Sequence, residues 1–102
     1  FLGVRYALVN KELREEKGLS VDYGVLVKGG EGDPAVTPGS AAEKAGVKEG
    51  DIILELKGEK ITAEQSLAKL IQKYNPGDRI TLNILRDGAE QILTATLGER
   101  SE

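Results

Sequence analysis

Pro38-Gly39-Ser40-Ala41-Ala42-Glu43-Lys44-Ala45-Gly46-Val47-Lys48-Glu49-Gly50-Asp51-Ile52-Ile53 is the stretch whose reading decides the fold. Ser40 reads as a helix N-cap, and Glu43 three residues on completes a capping box, in which the two side chains satisfy amides at the helix start. Gly46 ends the helix after barely more than one turn. Val47 and the Glu49-Gly50-Asp51 turn then lead into Ile52-Ile53-Leu54-Glu55-Leu56, an aliphatic run with the pattern of a buried strand.

Upstream, Phe1-Leu2-Gly3-Val4 is an apolar loop with a glycine inside it. Leu2, Val4, Tyr6 and Leu8 alternate with Gly3, Arg5 and Ala7 and predict a half-buried strand. Asn10 to Lys17 is polar apart from Leu13, with Asn10 as N-cap and Gly18 as stop. Its interleaved Glu12, Glu15, Glu16, Lys11, Arg14 and Lys17 predict a solvated helix face. Gly24 to Val27 reads as a buried strand, and Lys28 to Pro38, rich in glycine, proline and acids, as a solvated loop.

Downstream, Thr62 and Gln65 form a second capping box. Ala63, Leu67, Leu70, Ile71 and Tyr74 recur at helical spacing, which predicts a helix over 62–74. Asn75-Pro76-Gly77-Asp78 stops it. Ile80, Leu82 and Ile84 alternate with Thr81, Asn83 and Leu85, Asp87-Gly88 is a hairpin signal, and residues 92–97 close the pattern as a last strand. Residues 98–102 read as a polar tail. The expectation is one domain over residues 1–102, of α+β class: a partly open barrel of about five or six strands capped by two or three short helices. Strands from the two ends of the chain are expected to pair or flank each other.

Composition excludes several functions. The chain has 102 residues with neither cysteine nor histidine, so it offers no disulfide, no thiolate or imidazole metal site and no histidine-based triad. The serines have no histidine to activate them, which argues against catalysis by this chain. Fourteen basic against seventeen acidic residues give a net charge of −3, the wrong balance for a nucleic-acid binder. No apolar run is long enough to span a membrane, and Gly29 to Pro34 lacks the lysine and hydroxyl of a phosphate loop.

The 38–53 stretch resembles the proline-glycine-serine, alanine-glycine, glycine-aspartate pattern of bacterial PDZ domains. Asn75-Pro76-Gly77-Asp78, Leu85-Arg86-Asp87-Gly88 and Thr96-Leu97-Gly98-Glu99-Arg100 are similar to later landmarks of the HtrA-type, and Phe1-Leu2-Gly3-Val4 to its carboxylate-binding loop. The resemblance implies a PDZ-like barrel in the permuted strand order. It implies a binding module, not an enzyme, and no cofactor. The ligand would be the C-terminal peptide of an unfolded or substrate protein, added as a β-strand and carrying an apolar last residue.

On that resemblance the amides of Leu2, Gly3 and Val4 hold the terminal carboxylate, and Val4, Arg5 and Tyr6 pair with the ligand strand. Leu2, Val4, Leu67 and Leu70 line the pocket for the last side chain, with Phe1 and Ala63 also on the groove and Ile71 and Tyr74 packed inward. The same resemblance implies an attached trypsin-like serine protease in the bacterial periplasm or envelope, of which this chain is an excised piece. A carboxy-terminal processing protease, an intramembrane site-2 protease, or a scaffolding module with an occluded groove are the alternatives. The segment Lys28 to Val36 is longer than the pattern leads one to expect.

Overall fold

The computed structural model of the chain describes residues 2–30 and 32–98. Nine elements follow one another: β1 (Tyr6–Leu8), α1 (Lys11–Lys17), β2 (Val25–Val27), α2 (Ala41–Ala45), β3 (Ile52–Leu56), β4 (Glu59–Lys60), α3 (Leu67–Ile71), β5 (Arg79–Arg86) and β6 (Ala89–Thr96). The strands form one antiparallel sheet in the order β1-β2-β3-β5-β6, with β4 paired to β3 off this path. The sheet is not closed. The two end strands do not pair: β1 and β6 stand at opposite ends of the strand order, although Leu2 and Leu97 share the main core.

Local chemistry sets the helix starts. Asn10 is extended, and its side chain accepts from Leu13 N–H at 2.8 Å, the bond of an N-cap. Ser40 Oγ accepts from Glu43 N–H at 3.2 Å, and Glu43 Oε1 accepts in return from Gly39 N–H at 2.8 Å. That second amide lies one residue before the one a capping box ordinarily uses. The 62–74 helix is shorter than the stripe predicts. Thr62 Oγ1 does accept from Gln65 N–H, but Thr62 N–H donates to Gln65 O, closing a separate turn. The helix begins only after Ser66, whose hydroxyl accepts from Lys69 N–H at 3.1 Å. Two hydroxyl caps one turn apart compete, and the second wins.

The first strand is also shorter than its alternation. Only Tyr6–Leu8 is regular, preceded by a single bridge between Val4 and Val36. Tyr6 and Leu8 share a sheet face with Val27 and Val25, yet remain 39% and 38% exposed.

The main core lies on the other strands' half of that face: Val25, Val27, Ile53, Leu56, Ile80, Leu82 and Ile84, closed by Ala42, Leu67, Leu70 and Leu97. A smaller cluster of Val9, Leu26, Ile52 and Leu54 packs with Leu13 and Leu19. The four aliphatics of β3 divide between the clusters because a bulge at Leu54 inserts one unpaired residue, so that Ile53 and Leu56 both face the main core. The β5–β6 hairpin closes through Asp87 and Gly88, both at positive φ, the two-residue turn that matches strand twist.

Asp51 is 2% exposed and charged. Arg86 Nε donates to Asp51 Oδ1 at 2.8 Å and Arg86 Nη2 to Oδ2 at 2.6 Å; Nη2 also donates to Gly46 O at 2.8 Å. Lys48 N–H donates to Asp51 Oδ2 at 2.9 Å. The bonds to Asp51 push the Arg86 guanidinium above its ordinary, already high value and hold it charged. One fork thus ties the end of α2, the start of β3 and the end of β5. Asp51→Ala leaves the Lys48 amide and the Arg86 guanidinium without their acceptor and is expected to destabilise the fold, read as a lower urea midpoint at unchanged slope.

Candidate peptide-binding groove

The N-terminal segment is anchored along one side only. Leu2 O accepts from Ala42 N–H at 2.9 Å, Gly3 O accepts from Thr37 N–H at 2.9 Å, and Arg5 N–H donates to Ala35 O at 2.8 Å. Arg5 O accepts from Lys28 N–H at 3.0 Å, and Val9 N–H donates to Gly24 O at 2.9 Å. In an antiparallel ladder every second residue turns its amide and carbonyl inward, and the residues between turn theirs out. Since Arg5 and Val9 face inward and Ala7 opposes Leu26 between them, Val4, Tyr6 and Leu8 present N–H and C=O on the open edge. Among the described residues, none of the amides of Leu2, Gly3 and Val4 is matched to an acceptor. Gly3 sits at φ 89° and lets the chain turn there, a conformation that a residue with a Cβ adopts only under strain.

Across this edge stands α3. Between them lies an open cavity of about 490 Å³ lined by Leu2, Gly3, Val4, Arg5, Tyr6, Thr37, Leu67, Ala68 and Ile71. Its floor is apolar, formed by buried Leu2 and Leu67, and its rim is polar backbone. An extended chain laid here meets two kinds of surface: a row of backbone donors and acceptors, and the apolar floor of Leu2 and Leu67.

The structure brings together Leu2, Gly3, Val4, Arg5, Tyr6 and Leu67 from the residues that the sequence marks for the site. It separates two others. Leu70 is fully buried beneath α3 in the main core, and Ala63 lies exposed in the turn before the helix, outside the cavity lining. The cause is the late start at Ser66: with the first helical residue at Leu67, the cavity face carries Leu67, Ala68 and Ile71, at i, i+1 and i+4. Ile71 is half-buried, packing on the core and lining the cavity at once, while Tyr74 packs inward as expected. Arg5 differs from the expectation of strand pairing, since both its backbone groups are already bonded on the inner side. Phe1 lies outside the described residues. Sequence reasoning misses Thr37 and Ala68: Thr37 reaches the cavity through pairing of residues 35–37 with 3–5, which no local pattern announces.

A family model described as a PDZ domain matches residues 1–97 of the chain. A probable periplasmic serine endoprotease DegP-like of Marinomonas sp. (strain MWYL1) is 38% identical over 100 residues, covering 98% of this chain and 20% of that protein. A protein of the same description from Bartonella henselae is 36% identical over 102 residues, covering all of this chain and 19% of that protein. The chain thus spans about a fifth of the length of these curated relatives. Among solved structures, an HtrA-type protease AlgW with a decapeptide superposes with a TM-score of 0.76 at 26% identity, over 100% of this chain and 30% of that one. The HtrA3 PDZ domain bound to a phage-derived ligand, FGRWV, shares the fold with a TM-score of 0.74 at 21% identity, over 94% of this chain and 83% of that one.

The two separated positions differ in what they carry. Leu70→Ala is expected to destabilise the fold by about 2–5 kcal/mol, the range for a fully buried leucine, whereas Ala63→Ser stays within about 0.5 kcal/mol. Urea denaturation of both variants checks this.

Proposed function

This chain belongs to the PDZ domain family, and from the open edge of β1 beside α3 we infer that it captures C-terminal peptides by strand addition on behalf of an attached HtrA-type serine protease. The observation that carries the reading is the sequence of outward backbone groups: the amides around Gly3 and Val4 and then Tyr6, beside one cavity with an apolar floor, with Leu8 next along the edge.

A terminal carboxylate entering the loop accepts from the amides of Leu2, Gly3 and Val4. Charge-assisted bonds of this kind are about twice as strong as neutral ones, and they replace the water that the anion gives up. The last ligand residue then lies beside Val4 and the third from the end beside Tyr6. Their side chains fall on the groove face, so the last one enters the recess of Leu2, Val4, Leu67 and Ile71. An apolar last residue suits that lining. A short peptide loses much freedom on ordering and buries little area, so binding is micromolar.

The DegP-like relatives and the HtrA-type neighbours support a serine-protease parent in the periplasm; unfolded or substrate proteins are the source of tails that this reading proposes. The chain's part in that protein is recognition: neither histidine nor cysteine is present to act on the ligand.

Calorimetry with two peptides of the same sequence, ending in valine as the free acid or as the amide, tests the reading. The acid is expected to bind at least about tenfold more tightly, the worth of bonds to a charged group. Gly3→Pro removes an amide and fixes φ in the wrong region; it is expected to abolish binding while the circular dichroism of the fold persists. Equal affinity of acid and amide discards the carboxylate loop.

A further inference from the structure

Most of the described residues between Lys28 and Pro34 are exposed, as a solvated loop should be, yet their backbone is tied down. Asp33 N–H donates to Gly30 O at 3.1 Å, closing a tight turn bridged between Gly30 and Asp33. Gly29 lies against the returning backbone so closely that a Cβ there would stand 2.4 Å from Asp33 O and 2.9 Å from Ala35 N. The segment then pairs with the N-terminal loop through Ala35 and Thr37. Asp33 is thereby held beside the groove, where its carboxylate lies 3.7 Å from the Arg5 guanidinium.

Arg5 lines the cavity, but on the opposite sheet face from Val4, Tyr6 and Leu8. Side chains alternate along a strand, and those of an added strand match the face of the residues they oppose. If the last ligand residue lies beside Val4 and the third from the end beside Tyr6, the penultimate side chain falls on the face of Arg5. Resting on the carboxylate-capture reading above, we propose that Arg5 selects an acidic penultimate residue in the ligand and that Asp33, delivered by the 28–36 segment, competes with that residue and sets the strength of the selection.

The geometry fits a competition. At 3.7 Å the pair is longer than a charge-assisted hydrogen bond, and the two side chains are 58% and 54% exposed, so neither is locked. With 58% of its side chain exposed, the Arg5 guanidinium can turn to a second carboxylate that approaches from solvent. Asp33 at rest neutralises Arg5 and leaves only part of its field for the ligand. An exposed pair of this kind carries a modest energy, which is the scale on which ligands that share one anchoring carboxylate are sorted.

The test uses two peptides with free carboxylates that end in glutamate–valine or glutamine–valine, titrated calorimetrically into the unaltered chain, Asp33→Asn and Arg5→Gln. The unaltered chain is expected to favour glutamate by about twofold, and Asp33→Asn by about fivefold, the span of exposed ion pairs. Arg5→Gln is expected to bring the ratio to one, as is raising salt to about 1 M, which shortens the screening length to about 3 Å. Binding of both free acids with the same ratio in all three proteins overturns the proposal and leaves carboxylate capture standing. A ratio that is unchanged in Asp33→Asn but lost in Arg5→Gln removes Asp33 from it. No binding of either free acid, with the chain folded, overturns the capture reading and this proposal together.

Discussion

The buried fork between Asp51 and Arg86 is where the organisation of this fold begins. A single charged pair at the junction of α2, β3 and β5 is costly to bury, and the cost is offset by completeness: both carboxylate oxygens accept, and the guanidinium also reaches the Gly46 carbonyl. What it fixes is the position of α2. That helix is only Ala41–Ala45, too short to hold itself together. Pinned at its C-terminal end by Arg86 and capped at its start by Ser40, it offers the Ala42 amide to Leu2 O. The N-terminal loop thus inherits its place from an ion pair at the other end of the helix.

From there a rule of parity takes over. The ladder uses alternate backbone groups, so anchoring Gly3 O, Arg5 and Val9 inward commits Val4, Tyr6 and Leu8 outward. The same alternation puts Tyr6 and Leu8 on the core face of the sheet, beyond the point where core residues cover them. Half-exposed apolar side chains and unpaired backbone groups are each liabilities at a sheet edge. Here they coincide along one short strand and face α3 across a recess, which is the arrangement an added strand completes.

Much of this is legible in residues and some is not. Asn10, Ser40 and Gly46 act where the sequence puts them, because a cap is a local exchange between one side chain and one or two amides. Asp87-Gly88 likewise makes its turn unaided. The groove helix is misjudged from its stripe because Thr62 and Ser66 are both good caps, and only the packing of Leu67 and Leu70 in the core decides between them. The β3 bulge is invisible in Ile52-Ile53-Leu54, where every residue is aliphatic and no polar position marks the register. The Asp51–Arg86 fork joins residues thirty-five apart, and the pairing of Val36 with Val4 depends on a loop whose composition signals only irregularity.

The length of β1 bounds what the groove can read. The free edge starts at the loop of Leu2, Gly3 and Val4 and offers further pairing only at Tyr6 and Leu8. After Leu8 the chain is drawn inward, with Val9 bonded to Gly24 and Asn10 opening α1. A strand added in antiparallel sense therefore finds backbone partners over about five residues from its end, since Val4, Tyr6 and Leu8 each exchange both bonds with one ligand residue and the ligand residues between them turn theirs away. Beyond that span the edge is gone, so a longer tail gains nothing from its upstream sequence. On the proposed mode of capture, an edge with so short a reach would sort ligands by their ends, through the carboxylate, the last side chain and the face that Arg5 occupies.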